Sequence, residues 1–303
     1  MTAVSAEQLS SLSPERLDVP VAGGSLAVFR LGRADPVVLA VHGITSNSHA
    51  WVAVARALEN RASLFAPDMR GRGRSSSLPG PYGVAAYASD LLAVLDRLAI
   101  EQTVAVGHSL GAYVVARLAA DHPERVRAAV LVDGGLTIPG ALQSDPQTFI
   151  DGFLGPVLAR LRERFPSRKA YYDWWRAHPA FEGGIVADDH LVSHADHDLE
   201  GVEPELRSSV IEDAVRTDAD EVLEIGEAAH RLTVPATLVC APRGLFDEPN
   251  PMQPPELVRE WAAEAQHQRR VLQVPDTNHY TLIMGAAGAG AVAEAITSAL
   301  DTR

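Results

Sequence analysis

A serine lies between two glycines in the segment GHSLG, residues 107–111 of this 303-residue chain. The apolar run before it suits a buried strand and the run after it suits a helix, so Ser109 is expected on the tight turn that joins them. A helix N-terminus carries a partial positive charge, which favours an anion that forms beside it. The pattern in this context predicts a nucleophilic serine at the carboxyl edge of a sheet.

A serine hydroxyl needs a base to accept its proton, and a histidine is the usual one. His279 follows the last strand-like run of the chain, in the segment VPDTNHY, and is therefore expected at the carboxyl end of a strand. His108 adjoins Ser109 but should point away along the turn. We predict that His279 is the base and that His108 has a structural role.

The segment VHGITSN, residues 41–47, ends another strand-like run. Gly43 would let the backbone approach a ligand closely, and His42 and Gly43 are expected in the substrate pocket. The amides of Ile44 and Leu110 could together form an oxyanion hole, in which two donors face the charge that develops in the transition state.

Short apolar runs alternate with longer amphipathic ones, which is typical of a parallel sheet flanked by helices. The strand candidates lie at 16–22, 25–31, 36–43, 62–68, 103–109, 128–133, 236–241 and 269–276. The alternation stops between Asp133 and Val234, where helix-like segments occur instead, at 148–165, 168–181 and 208–232. We therefore predict a core formed by residues 1–135 and 232–303, with a mainly helical insertion, residues 136–231.

These motifs and their order resemble the α/β-hydrolase superfamily. The resemblance covers roughly residues 16–135 and 232–300 and includes DMRGRGRS at 68–75, where Asp68 and Arg70 are expected to hold loops together. It implies an α/β fold: an eight-stranded, mostly parallel sheet with helices on both faces and a helical cap inserted after the sixth strand. It also implies a Ser–acid–His triad and acyl transfer to water, with no cofactor.

The resemblance leaves two positions open for the acid of the triad. Many relatives carry it in the loop after the strand that corresponds to ATLVC, where this sequence has Gly244 near the expected place and Asp247 three residues later. Other relatives carry it directly after the preceding core strand, where this sequence has Asp133. We favour Asp133 and keep Asp247 as the alternative.

The insertion contains four aromatic residues within five positions, and these cannot all face one way. One or two of them are expected to line an apolar pocket. The candidates for the pocket are Trp174 and Trp175, and the other two aromatic residues are Tyr171 and Tyr172.

Three histidines recur in DDHLVSHADHD, at positions 190, 194 and 197. On a helix these positions would share a face and could bind a metal ion. The segment has no clear helical pattern, so we expect His190, His194 and His197 on a solvated surface and predict no metal site.

The net charge of −13 belongs to one segment, since residues 181–230 hold 15 acidic residues against two arginines. A nucleic-acid partner is therefore not expected. No apolar run reaches the roughly 18 residues that a membrane span needs, and the start of the chain does not resemble a secretory signal. We expect a cytoplasmic protein without a membrane partner. A single cysteine, Cys240, leaves no intrachain disulfide.

Taken together, these features predict a hydrolase that cleaves a carboxylic ester or a lactone through an acyl-enzyme, with an apolar small molecule as substrate. One alternative is a carbon–carbon bond hydrolase of ring-cleavage diketones, which would need basic groups for a substrate carboxylate. The insertion offers few such groups, namely Arg168, Lys169 and Arg176. A second alternative is a non-catalytic receptor for a small ligand on the same scaffold. The oligomeric state is left open.

Overall fold

The computed structural model describes residues 14–137, 155–222 and 226–302. Its main sheet has eight strands in the order β1-β2-β4-β3-β5-β6-β9-β10. Strand β2 runs in the direction opposite to the other seven strands of this sheet. The strands are β1 Glu15–Val21, β2 Gly24–Leu31, β3 Val37–Val41, β4 Ser63–Pro67, β5 Thr103–His108, β6 Val126–Val132, β9 Ala236–Cys240 and β10 Arg269–Gln273. The predicted eight-stranded, mostly parallel sheet is confirmed.

Helices cover both faces of this sheet. In the described part of the chain, the α-helices include α1 Val52–Ala57, α2 Val84–Arg97, α3 Leu110–Asp121, α4 Arg168–Arg176, α5 Asp188–Asp198, α6 Glu212–Val222, α7 Pro255–Glu264, α8 Thr281–Met284 and α9 Ala286–Asp301. Helices α1, α8 and α9 pack against one face, while α2, α3 and α7 pack against the other. The central strands are buried on both faces, which is why they read as continuous apolar runs.

The segment between β6 and β9 consists mainly of helices in its described part. It contains a helical stretch at 155–162, helices α4 to α6, and a small antiparallel pair formed by β7 Leu199–Glu200 and β8 Arg207–Ser208. Parts of two predicted helical segments, at 148–154 and 223–225, lie outside the described residues. Within the described ranges, no helix is long and apolar enough to cross a membrane.

The segment DDHLVSHADHD was not expected to be helical, and this prediction is wrong, because the segment forms α5. Leu191 and Ala195 are buried, but so are His194 and His197. The buried face of α5 is therefore partly filled by imidazole rings, so an apolar periodicity that could reveal a helix is weak in the sequence.

Candidate active site

Ser109 lies on a tight turn between β5 and α3. Its backbone has φ 54° and ψ −122°, in the left-handed region that side chains rarely adopt, and such strain clusters at functional sites. A Cβ added to Gly107 would lie 2.1 Å from the carbonyl oxygen of Gly111, and one added to Gly111 would lie 2.1 Å from that of Val41. The two glycines are therefore required for the close packing of this strand and helix.

Asp133 and His279 form a buried pair beside this turn. Nδ1 of His279 donates to Oδ2 of Asp133 at 2.7 Å, and the amide of Ala241 donates to Oδ1 at 3.2 Å. A carboxylate only accepts, so this contact places the proton on Nδ1 and leaves Nε2 unprotonated, as an acceptor. Ser109 and His279 both line one cavity of about 40 Å³, which we call the serine cavity.

Asp247 contacts other groups. Its carboxylate accepts from Nε and Nη2 of Arg243, each at 2.7 Å, and from Nδ2 of Asn278 at 3.0 Å. The Arg243 guanidinium lowers the pKa of the Asp247 carboxyl. The Asp247 side chain is 34% exposed. Of the two candidate acids, the structure brings Asp133 to His279.

The loop that follows β3, residues 43–47, lies against the serine turn, and we call it the oxyanion loop after the role predicted for Ile44. A Cβ on Gly43 would lie 3.2 Å from Cβ of Ser109. Leu110 is the first residue of α3, so its N–H has no partner within that helix. In the described part of the chain, no backbone carbonyl accepts from the N–H of Ile44 or of Leu110. Within the described residues, these two N–H groups therefore have no backbone acceptor.

His42 was predicted to line the pocket, and the structure places it beneath the oxyanion loop instead. Its side chain is fully buried, with Nδ1 donating to the carbonyl of Gly43 at 2.8 Å and Nε2 accepting from the amide of Met69 at 3.0 Å. Burial lowers the pKa of His42 to about 4, so the ring is neutral at pH 7. This ring supports the loop from below, whereas Gly43 lines the serine cavity.

His108 was expected to point away from the site, and this is wrong. Its Nε2 donates to the carbonyl of His279 at 2.9 Å, and the two rings lie 4.5 Å apart between centroids. His108 also lines the serine cavity. Burial lowers its pKa well below the usual value, so it is a neutral ring that ties the histidine loop to the serine turn.

A larger cavity of about 430 Å³ lies next to the serine cavity and shares Val157 and Tyr280 with it. We call it the aromatic cavity, since its walls include Trp174, Trp175, His178, Phe246 and Tyr280. Both tryptophans predicted for the pocket therefore line it. Burial, followed by the nearby Arg160, lowers the pKa of His178 to about 4, so its ring is uncharged at pH 7.

Arg160 is a residue that sequence reasoning missed. It reaches the wall of the aromatic cavity, but its side chain is only 1% exposed and Nη1 lies 2.7 Å from Oδ2 of Asp198. Its guanidinium lies over the Trp175 ring, 5.0 Å from the centroid. No local pattern marks this arginine, because its carboxylate partner is 38 residues away in the sequence.

The three histidines of α5 do not form the solvated surface that was expected. Nε2 of His194 lies 3.0 Å from Oγ of Ser46, and Nε2 of His197 lies 2.7 Å from Oδ2 of Asp68. His190 contacts Arg56. The described residues contain no group of three or more histidine, cysteine or acidic side chains that could hold a metal ion. These histidines attach α5 to the core.

The fold and this site define a class of hydrolases built around a serine turn. The family model for the alpha/beta hydrolase fold matches residues 36–286, and the chain therefore belongs to that family.

Individual relatives agree with this family. Lipase LipV of Mycobacterium tuberculosis is 33% identical over 172 residues, which is 55% of this chain and 62% of LipV. Among the curated relatives with the strongest matches, this chain covers between 35% and 62% of each relative's own length. The solved structure of an E-2-(acetamidomethylene)succinate hydrolase has a TM-score of 0.79 at 23% identity and covers 95% of this chain and 100% of its own. A solved esterase from M. tuberculosis has a TM-score of 0.71 at 26% identity, over 95% of this chain and 92% of its own.

Proposed function

We propose that this protein hydrolyses a carboxylic ester or a lactone through an acyl-enzyme on Ser109. The observation that carries the proposal is the buried Asp133–His279 pair, whose histidine lines the same cavity as Ser109. A carboxylate that holds Nδ1–H orients the imidazole and stabilises its protonated form, which a serine nucleophile requires.

The reaction proceeds in two steps, acylation of Ser109 and hydrolysis of the acyl-enzyme. Oγ of Ser109 attacks the carbonyl carbon and passes its proton to Nε2 of His279, while the carbonyl oxygen becomes an oxyanion held by the amides of Ile44 and Leu110. The leaving alkoxide takes the proton from His279 as the carbon–oxygen bond breaks. Water then attacks the acyl-enzyme and gives a proton to His279, which returns it to Ser109 as the acid product forms.

The aromatic cavity supports a substrate with an uncharged, apolar group. Its ring-lined wall offers apolar surface, and the neutral His178 adds no charge. Arg160 is already neutralised by Asp198, whose pKa is lowered because Arg160 and Tyr171 outweigh the effect of burial. A substrate carboxylate would compete with Asp198 for this arginine. An acyl chain or ring therefore fits this cavity better than an anion does.

This charge distribution also weighs against the carbon–carbon bond hydrolase. The basic residues that it would use are bound to surface carboxylates: Arg168 to Asp196, Lys169 to Asp173, and Arg176 to Asp173 and Asp188. In the described chain, they are at least 39% exposed and do not line the aromatic cavity.

The test combines turnover with covalent labelling. Purified protein is assayed on p-nitrophenyl esters of increasing acyl length and on lactones of several ring sizes, and its adduct with a fluorophosphonate is mapped by mass spectrometry. We expect turnover of apolar esters or lactones and a label on Ser109. A receptor on the same scaffold would bind these compounds without turnover, and a label on another residue would overturn the assignment of the nucleophile.

A further inference from the structure

The oxyanion loop is held from two sides by buried arginines. Nε of Arg72 donates to the carbonyl of Ile44 at 2.9 Å, and Nη2 of Arg160 donates to the carbonyl of Thr45 at 3.2 Å. The peptide plane that carries the Ile44 N–H is fixed separately, since the carbonyl of Gly43 accepts from the amide of Ser46 at 3.2 Å. Consecutive peptide planes around the Ile44 amide are therefore restrained.

The Arg72 cluster links this loop to α6 of the insertion. Arg72 and Asp218 are both fully buried and ion-paired. Tyr87 of α2 donates to Oδ1 of Asp218 at 2.8 Å and accepts from Nη1 of Arg72 at 2.7 Å. A carboxylate and a phenol thus fix the guanidinium so that its Nε faces the carbonyl of Ile44.

The Arg160 cluster repeats this arrangement on α5. Arg160 pairs with Asp198, and Tyr171 of α4 contacts both groups. The hydroxyls of Ser208 and Ser209 donate to the other carboxylate oxygen of Asp198 at 3.0 and 3.1 Å. Two Arg–Asp–Tyr clusters, both with their carboxylate in the insertion, therefore hold successive carbonyls of one core loop.

We propose that Arg72 and Arg160 are positioning residues that orient the Ile44 amide, and that Asp218 and Asp198 make this orientation depend on the docked insertion. The inference rests on the proposed function, because it takes the Ile44 N–H as an oxyanion donor. A donor must be held at the position of the developing charge before the reaction, since reorganisation during the reaction would reduce its effect.

The chain provides a matched control two residues before Arg72. Arg70 is also a buried arginine, paired with Asp90, and it donates to the carbonyls of Ala22 and Pro79. It holds backbone outside the oxyanion loop. Loss of Arg70 removes a comparable buried ion pair, so its variant reports the effect of such a loss on stability alone.

The experiment compares Arg72→Met, Arg160→Met and Arg70→Met with the parent protein. For each, kcat and KM are measured on a p-nitrophenyl ester, and affinity is measured for a trifluoromethyl ketone, whose adduct with serine places an oxyanion in the hole. We expect Arg72→Met and Arg160→Met to lower kcat and ketone affinity in parallel, by roughly 10- to 100-fold, with KM within about threefold. Arg70→Met should change both within about threefold although its Tm falls.

Arg72→Lys separates the two contacts of Arg72. A lysine can pair with Asp218 but has no second nitrogen for the carbonyl of Ile44. We expect this variant to be more stable than Arg72→Met and still impaired in kcat. Two outcomes would show that the clusters are only structural supports. One is a parental kcat in Arg72→Lys. The other is a kcat and a ketone affinity in Arg72→Met and Arg160→Met that are as high as in Arg70→Met.

Hydrogen–deuterium exchange tests the positioning without any substrate. The amides of residues 43–48 should exchange at least about tenfold faster in Arg72→Met and Arg160→Met than in Arg70→Met. If the parent protein neither hydrolyses esters nor binds the ketone, faster exchange in Arg72→Met and Arg160→Met would still support the positioning role, and only the proposed function would be wrong. Unchanged exchange in this segment would overturn the inference whatever the activity.

Discussion

At the scale of single residues, the serine site is assembled from parts that are far apart in the sequence. Asp133 and His279 are separated by 146 residues, and His108 and His279 by 171, yet each pair is joined by a short hydrogen bond. The carboxyl ends of β5 and β6, together with the loop after β10, bring these groups to one edge of the sheet. This is the edge at which open α/β sheets bind ligands.

We predict that Ser109→Ala abolishes hydrolysis and leaves the fold intact. Alanine is smaller than serine and removes only the hydroxyl, and loss of a triad serine can lower kcat by roughly 10⁶-fold. The check is kcat on the best ester found, with circular dichroism as the control for folding. Residual kcat within about tenfold of the parent would exclude Ser109 as the nucleophile.

The two candidate acids are separated by a pair of matched variants. Asp133→Asn keeps the shape of the side chain but removes the charge that stabilises protonated His279, so kcat should fall by roughly 10³- to 10⁴-fold. Asp247→Asn only weakens contacts to Arg243 and Asn278. It should lower kcat by less than about tenfold. The reverse ranking would move the acid to Asp247.

At the scale of elements, the adjacent tryptophans of α4 have different surroundings. Trp175 is 2% exposed and its ring contacts Tyr171, Phe181 and Tyr280, whereas Trp174 is only partly buried. Both line the aromatic cavity, but only Trp175 also fills the core beneath it.

We therefore expect the two rings to respond differently to truncation. Trp174→Ala should enlarge the cavity and shift the preferred acyl length, with little change in Tm. Trp175→Ala should lower the free energy of unfolding by about 3–5 kcal/mol. The measurements are kcat/KM across an acyl series and urea unfolding. Equal losses of stability in both variants would assign Trp174 to the core as well.

The central strands were predictable because each one is a short apolar run with its own turn residues, and burial on both faces makes that run continuous. The serine, the histidine and the oxyanion loop were predictable for a related reason: each stands at the end of such a run. The buried arginine pairs were not. Arg72 and Asp218 are 146 residues apart, and their pairing depends on how the insertion packs rather than on any local pattern.

The histidines of α5 also show that a sequence pattern alone cannot identify the packing partners of a side chain. On a helix, a spacing of four and three residues would put His190, His194 and His197 on nearby positions, but the sequence showed no clear helical pattern there, and that spacing fits a metal site and a docking face equally well. Only the packing partners, among them Ser46 and Asp68, show which one was formed.

At the scale of the whole molecule, core and insertion share a buried apolar cluster and are also joined through buried polar groups. His194 meets Ser46, and Asn47 donates to the carbonyl of His194 at 3.0 Å. His49 stacks on His197 with ring centroids 3.9 Å apart. Buried polar contacts of this kind stabilise a structure only while every member stays in its paired protonation state. The junction should therefore be sensitive to pH.

The sign of this dependence follows from the shifted pKa values. Burial lowers the pKa of His42 and His194 to about 4 and that of His49 to about 3. Below pH 6.5 the unfolded chain binds protons at these rings while the folded chain does not, so the free energy of unfolding decreases as pH falls. Between pH 6.5 and 5, each ring should contribute a loss of about 1.5 kcal/mol.

His194→Gln tests this contribution at the junction. Glutamine can still contact Ser46 but does not titrate, so the variant should lose less stability than the parent between pH 6.5 and 5, by about 1.5 kcal/mol. Urea unfolding at several pH values provides the measurement. His122→Gln is the matched control for the substitution itself, because this side chain is 41% exposed at the end of α3 and lies outside the junction between core and insertion. A parental slope in His194→Gln would show that His194 can take up a proton without leaving its place between insertion and core.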